Sequence, residues 1–335
     1  MIISVVVKVL FVGGTGRTGS TVLDKILGSL PGWFSGGELA FIWEKGLVQG
    51  GRCSCGEPVA ECGIWREAIR RGANNRNVDP HKMVAQRKRF WSIHLPLLIS
   101  QRVTSWRLDK LEDFPANVEA LYNAVAEVSG SSVIIDSSKE SHYSFILRER
   151  TDLDIYFLHL VRDPRAIGYS WNKKKNELGF QNGTLMERRG ICKVSAYYFV
   201  SNLAAIWIWG RRPERYKILR YEDFTKDPQS VIRLIANFIG EPIDTLESSS
   251  GDTFKIMPSH LVWGNPNRFS NEEIHVSRDL EWMEKQGRVK SFTLAVLNFP
   301  VARIFGYHLN RNGKNFRGGA IMNRYNLLPR EGANE

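Results

Sequence analysis

The sequence predicts an α/β fold, a doubly wound parallel sheet flanked by helices. Three observations predict it. An apolar, β-branched run at 2–12 passes through a Gly/Thr/Ser loop into 21–27, whose apolar residues recur at helical spacing. Short buried runs with polar exits follow at 132–139, 154–161 and 216–224. Helical patterns separate these runs.

The loop at 13–19 holds Gly13, Gly14, Gly16 and Gly19. So many glycines leave backbone N–H groups uncovered, free to converge on an anion beside the partial positive charge of a helix N-terminus. Gly14 and Gly19 have the separation of a nucleotide-triphosphate loop, but Ser20 stands where that loop carries its lysine. The positive charge lies instead at Arg17, whose guanidinium suits a terminal, oxygen-rich sulfuryl or phosphoryl group. A plain glycine turn or a dinucleotide loop fits the same pattern.

With 335 residues, 43% hydrophobic and 24% charged, the chain can bury a large core. A net charge of +11 favours polyanionic ligands. No apolar run reaches the ~18 residues of a membrane span, and 1–12 lacks the flanks of a signal peptide, so a cytoplasmic protein is expected. Asn182-Gly183-Thr184 matches a glycosylation sequon without a secretory context.

Beyond the first helix, Pro31-Gly32 breaks the pattern. Glu38 is the only acid in the Gly/apolar/aromatic stretch 31–43. Two readings stand side by side. Partial desolvation would raise its pKa, as a general base near neutrality requires; alternatively Ser35 and Glu38 form a capping box. Cys53, Cys55 and Cys62 cluster in a Gly/Pro-bearing loop. A zinc site there wants a fourth ligand, and Cys192 lies far along the chain, so free thiols, a disulfide and a metal clip all remain open while the expected metal count is none.

From about 64 to 130 the pattern is helical and basic, punctuated by Pro80, Pro96 and Pro115. It reads as an insertion capping the acceptor site. The charged run 86–89 reads as a solvated face, since no aromatic stacking platform accompanies it; no nucleic-acid partner is expected. The run at 132–139 ends in Asp136-Ser137-Ser138-Lys139. Ligands of open parallel sheets bind at the carboxyl ends of strands, so these residues should face the glycine loop. Asp136 imitates the magnesium-holding acid of an NTPase, whereas Lys139 offers a cation to the transferred group.

The run at 154–161 leads to Arg162-Asp163-Pro164, with Pro164 opening a helix and Ser170 two turns along it. Arg162 and Ser170 can share a second phosphate. A polar loop spans 172–190, an apolar helix 191–209, and a further helix about 228–239 ends at Gly240. Residues 311–335, rich in Asn, Gly and Arg, read as a disordered tail after a single domain over 1–310.

Together these pieces resemble the sulfotransferases that use 3′-phosphoadenosine 5′-phosphosulfate, particularly the bacterial branch. The resemblance spans roughly 5–307. Gly16-Arg17-Thr18-Gly19-Ser20-Thr21 is similar to the family's 5′-phosphosulfate loop, with Arg17 where many members carry Lys. Arg162 and Ser170 match its 3′-phosphate motif, Tyr221-Glu222-Asp223-Phe224 resembles its Tyr-Glu-Asp element, and Arg268 lies in a Gly-Asn-Pro-x-Arg stretch like the late basic loop that closes over the cofactor, so the resemblance implies that Tyr221 and Arg268 also bind the cofactor. The resemblance implies a P-loop-like fold and metal-free transfer to a hydroxyl or amine of a small molecule, glycan or carrier-bound metabolite. It also implies Glu38 as base and Lys139 near the bridging oxygen. A kinase or NTPase using Asp136 with Mg²⁺, and a non-catalytic polyanion-binding module, are the competing readings.

Overall fold

The computed structural model describes residues 6–73, 78–91, 108, 111–173, 188–243, 248–270, 273–309 and 324–328. Its centre is a five-stranded, wholly parallel sheet. The strands are β1 (Lys8–Gly14), β2 (Trp33–Ser35), β3 (Val133–Lys139), β4 (Asp154–Val161) and β5 (Tyr216–Arg220), in the order β2-β3-β1-β4-β5. The chain leaves β1 toward one edge and later returns to its other side, so the carboxyl end of β1 is the switch point at which such sheets bind ligands.

Side chains alternate between two separate cores. Val9, Phe11, Ile134, Ile155 and Phe157 enter one, and Leu10, Val12, Val133, Ile135, Leu158 and Leu160 the other. Burial on both faces explains why the strands read as continuous apolar runs. Helices α1 (Ser20–Leu27) and α9 (Pro228–Phe238) cover the second face with Leu23, Ile26, Leu27, Val231, Ile232 and Ile235.

The other face carries α2 (Gly63–Ala73), α3 (Pro80–Trp91), α4 (Phe114–Ser129), α5 (Ser141–Arg150), α7 (Ile191–Trp209) and α11 (Arg288–Ile304). Between them run α6 (Pro164–Asn172), α8 (Tyr221–Lys226) and α10 (Glu281–Lys285). A small antiparallel sheet, β6 (Ser248–Ser250), β7 (Thr253–Phe254) and β8 (Ile274–His275), completes the described chain.

Within 64–130, α2 packs along α4, and α4 supplies the crossover into β3. The basic run is not a solvated face throughout. Arg87 is buried, 2.5 Å from Glu44 and 3.0 Å from Glu140, with its guanidinium over the Phe41 ring. Both acids lie outside α3, so their pairing with Arg87 is a tertiary contact.

By length and a mean hydropathy of 1.3, α7 is the one described helix that would suffice to cross a membrane, where the sequence reading finds none. It is tied into this fold. Its buried Asn202 and Ser195 pair with His159 of β4 and Asn298 of α11, at 2.8 and 2.9 Å. Most of the loop 172–190 and most of the tail 311–335 lie outside the described residues. Within the tail, Asn326 bridges in parallel to Ile218 of β5, the Leu327 N–H donates to the Ile218 carbonyl (3.0 Å), and Tyr325 donates to the Gly210 carbonyl.

Candidate active site

The turn from β1 into α1 needs left-handed backbone at Gly14 (φ 115°), Arg17 (φ 71°) and Gly19 (φ 88°). At Gly19 glycine is also required by space, since a Cβ would lie 2.7 Å from the Tyr221 ring. Thr18 braces the loop by donating to the Thr15 carbonyl at 3.1 Å. No side chain caps α1 and its first turn holds no acid, so the amides there are available to an anionic ligand.

Arg17 extends over Trp171 of α6 at 4.8 Å, and Arg189 lies over the same indole at 4.1 Å. Burial lowers the pKa of Arg17. Tyr197 of α7 approaches from above; burial pushes its phenol up to about 12, and the Gly16 backbone hydrogen-bonds to it.

At the ends of the neighbouring strands stand Glu38 and Lys139. The Lys139 ammonium donates to Glu38 Oε1 at 2.6 Å and to the Ser137 carbonyl at 2.7 Å. Lys139 has left-handed backbone (φ 66°) and pairs in register with Gly13, which brings it level with the start of the glycine loop. The capping box does not form. Ser35 donates instead to Asp24 at 2.5 Å, and Glu38 opens the short 3₁₀ turn Leu39–Phe41 without capping it. Gly264 closes this corner: a Cβ there would lie 3.5 Å from Glu38 Oε1 and 3.9 Å from Thr21 Oγ1.

Two buried acids hold the strand ends from beneath. Asp24 of α1 also accepts from Ser137 Oγ (2.6 Å), and burial pushes its carboxyl up to about 6. Asp136 accepts from Tyr122 Oη (2.5 Å), the Ser138 N–H (2.8 Å), the Leu39 N–H (3.3 Å) and Ser138 Oγ, while burial pushes it up to about 7. Four donors thus engage the carboxylate that a magnesium-dependent reading would aim at a phosphate. It acts as a tie between β3, α4 and the turn after Glu38.

On the other side of the loop, Arg162 follows β4 directly. Its Nη1 donates to the Arg17 carbonyl at 3.2 Å, its Nη2 contacts Asp279 Oδ2 at 3.0 Å, and its guanidinium lies 4.1 Å from the centre of the Tyr221 ring. Tyr221 thus touches both Gly19 and Arg162. Ser170 is half-buried on α6, in the turn that carries Trp171. Arg268 is buried, and its Nη atoms donate to the carbonyls of Gly264 (2.9 Å) and Arg52 (3.4 Å), so these contacts brace its own loop.

Three buried polar atoms around the loop have no partner among the described residues: Thr15 Oγ1, Arg162 Nε and Trp171 Nε1. Unsatisfied buried donors are costly, and these suit an oxygen-rich ligand that completes them.

The model of the sulfotransferase family matches residues 10–245, from within β1 through β5, and takes in every group just described except Gly264, Arg268 and Asp279. The chain belongs to the sulfotransferase family. Similar solved structures include a sulfotransferase domain from the curacin biosynthetic pathway, 17% identical over 88% of this chain and 98% of that one, with a TM-score of 0.48. A sulfotransferase from Alicyclobacillus acidocaldarius is 14% identical over 70% of this chain and 82% of that one (TM-score 0.35). Another, from Mycobacterium avium, is 17% identical over 71% and 64% (TM-score 0.37). No curated protein matches the chain.

Several groups of this sulfotransferase's site escape sequence reasoning: Trp171, Arg189, Tyr197, Gly264 and Asp279. Trp171 directly follows Ser170, which was a usable signal. Gly264 opens the Gly-Asn-Pro-x-Arg stretch that carries Arg268, a second usable signal. The other three lie on segments whose approach to the loop depends on tertiary packing, and nothing in their local pattern marks them.

Proposed function

We propose that this sulfotransferase moves a sulfuryl group from 3′-phosphoadenosine 5′-phosphosulfate to a hydroxyl or amine of a small-molecule, glycan or carrier-bound acceptor, with Glu38 as general base. The observation that carries the reading is the Glu38–Lys139 ion pair at 2.6 Å, set at the strand ends beside a glycine loop whose cation is Arg17. The donor nucleotide supplies the activated sulfuryl group. The residues that would hold it are Gly16, Arg17, Thr18, Gly19, Ser20 and Thr21 at the 5′ end, and Arg162 and Ser170 at the 3′-phosphate, with Tyr221 behind both. The unpartnered Thr15 Oγ1 and Arg162 Nε support this division. Arg268 serves by keeping the 264–268 loop in place beside Glu38.

Glu38 takes the acceptor's proton, and Lys139 offsets negative charge at the strand ends. Arg17 and the amides of α1 orient oxygens for in-line approach. Positioning and electrostatics dominate such transfers, and no protein nucleophile is needed. The four cysteines are unbridged, which suits a cytoplasmic setting.

Isothermal titration with adenosine 3′,5′-bisphosphate tests the nucleotide, and transfer of radiolabelled sulfate to a panel of phenols, sugars and amines tests the reaction. Binding that strongly prefers the bisphosphate to adenosine 5′-phosphate, with transfer that persists without added Mg²⁺, is expected. Equal affinity for the two nucleotides would overturn the donor assignment.

A further inference from the structure

The Cys53, Cys55 and Cys62 loop gains its missing partner from a residue about two hundred positions away. His260 brings its ring nitrogen to 3.3 Å from Cys62 Sγ and 3.7 Å from Cys53 Sγ, while Cys55 Sγ lies 3.7 Å from Cys62 Sγ. All four ligand atoms fall within 4.8 Å of one another. We propose that Cys53, Cys55, Cys62 and His260 form a tetrahedral Cys₃His site for a structural zinc ion.

The spacing favours a metal over a disulfide. A tetrahedron with zinc–sulfur legs of about 2.3 Å has edges of about 3.8 Å, close to the 3.3, 3.7 and 3.7 Å separations above. A disulfide needs its sulfurs at about 2.05 Å. The loop is shaped to gather its thiols. The Cys53 N–H donates to the Glu57 carbonyl (2.8 Å), the Gly56 N–H returns to the Cys53 carbonyl (2.9 Å) with Gly56 at φ 98°, and the Cys62 N–H donates to the Pro58 carbonyl (2.9 Å). Three thiolates and one imidazole are the ligand set of a closed structural zinc site, with no position left for water or substrate.

The segment carrying His260 is independently fastened to the same loop. Trp65 Nε1 donates to the His260 carbonyl (2.7 Å), Ser54 Oγ to the Ser259 carbonyl (2.6 Å), and the Leu261 N–H to Ser54 Oγ (2.8 Å). Immediately beyond, the Val262 N–H donates to the Gly36 carbonyl (3.0 Å), and Gly264 reaches Glu38. The metal therefore pins the 259–264 strap across the segment that bears Glu38. This assignment stands on the four ligands alone and does not depend on the transfer chemistry proposed above.

The test uses the full-length chain, reduced and stripped of metal, then titrated with zinc alone or cobalt(II) alone. Uptake of about one zinc per chain is expected, and cobalt should give thiolate charge-transfer absorption with intense tetrahedral bands. Cys55→Ser, at an exposed position, and His260→Gln should each weaken zinc retention at least about tenfold, no less than loss of a group that merely supports a ligand does, while Cys192→Ser, on the exposed start of α7, leaves it unchanged. Zinc should raise the melting temperature of the wild type. A stripped, folded wild-type chain that takes up no zinc would overturn the site, as would uptake surviving both ligand substitutions. A native mass short of two hydrogens, with two thiols protected from alkylation, would replace it with a disulfide.

Discussion

Lys139 Nζ lies 2.6 Å from Glu38 Oε1, although the two residues are 101 positions apart, one ending β3 and the other three residues past the end of β2. The proposed base and the proposed balancing cation are thus one ion pair, and neither can be altered without changing the other's surroundings.

Their substitutions should therefore be non-additive. Glu38→Gln should lower kcat by roughly a hundredfold or more while leaving nucleotide affinity nearly unchanged. Lys139→Met should also lower kcat, and the double variant should be little worse than the more damaged single one. Single-turnover rates and titrations of all three variants check this; full additivity would separate the two roles.

Arg162 faces Asp279 at 3.0 Å, an acid lying where a 3′-phosphate is expected. Arg162→Ala should weaken adenosine 3′,5′-bisphosphate about tenfold to a hundredfold, the worth of hydrogen bonds to a charged group, and barely touch adenosine 5′-phosphate. Asp279→Asn should tighten the bisphosphate by a few-fold, since the pair is partly exposed and worth roughly 1 kcal/mol. Calorimetry on the two nucleotides reads both effects.

Gly19→Ala places a methyl group 2.7 Å from the Tyr221 ring at a φ of 88°. The strain, on the order of 1–3 kcal/mol, should show both as a lower melting temperature and as a loss of nucleotide binding. A variant that melted normally and bound normally would mean that the loop rearranges freely.

Asp136 is pushed by burial from 3.8 up to about 7. An acid whose pKa is higher in the fold supports folding fully below its unfolded value and loses that support as pH rises through the folded one. Asp24 acts in the same direction up to about 6, whereas His159, held down to about 4 by burial, gives support that is lost as pH falls below its ordinary 6.5. Asp136→Asn removes only the first contribution. The stability of wild type relative to this variant should therefore decline from about pH 4 to about pH 7, measured by urea unfolding across that range.

Much of this architecture is legible in the chain. The run into the glycine loop, Pro164 after Arg162 and the long apolar helix 191–209 all carry local signals, because propensity and tertiary position agree there. β2 does not. It is only three residues, Trp33–Ser35, at the sheet edge after a Pro-Gly break, too short for alternation to register. Arg87 looks solvated in sequence because its partners Glu44 and Glu140 lie on other elements. The link from Cys62 to His260, 198 residues away, is likewise invisible to any local pattern.

The parallel bridge from Asn326 to Ile218 has one more consequence, because β5 is one of the two outer strands of the sheet. Its backbone would otherwise offer open donors and acceptors to any passing chain. The short segment at 324–328 serves as an edge guard, so a chain cut after Leu309 would keep its loop and ion pair yet aggregate through its bared rim, and a purification tag fused tightly to the last helix would risk the same fate.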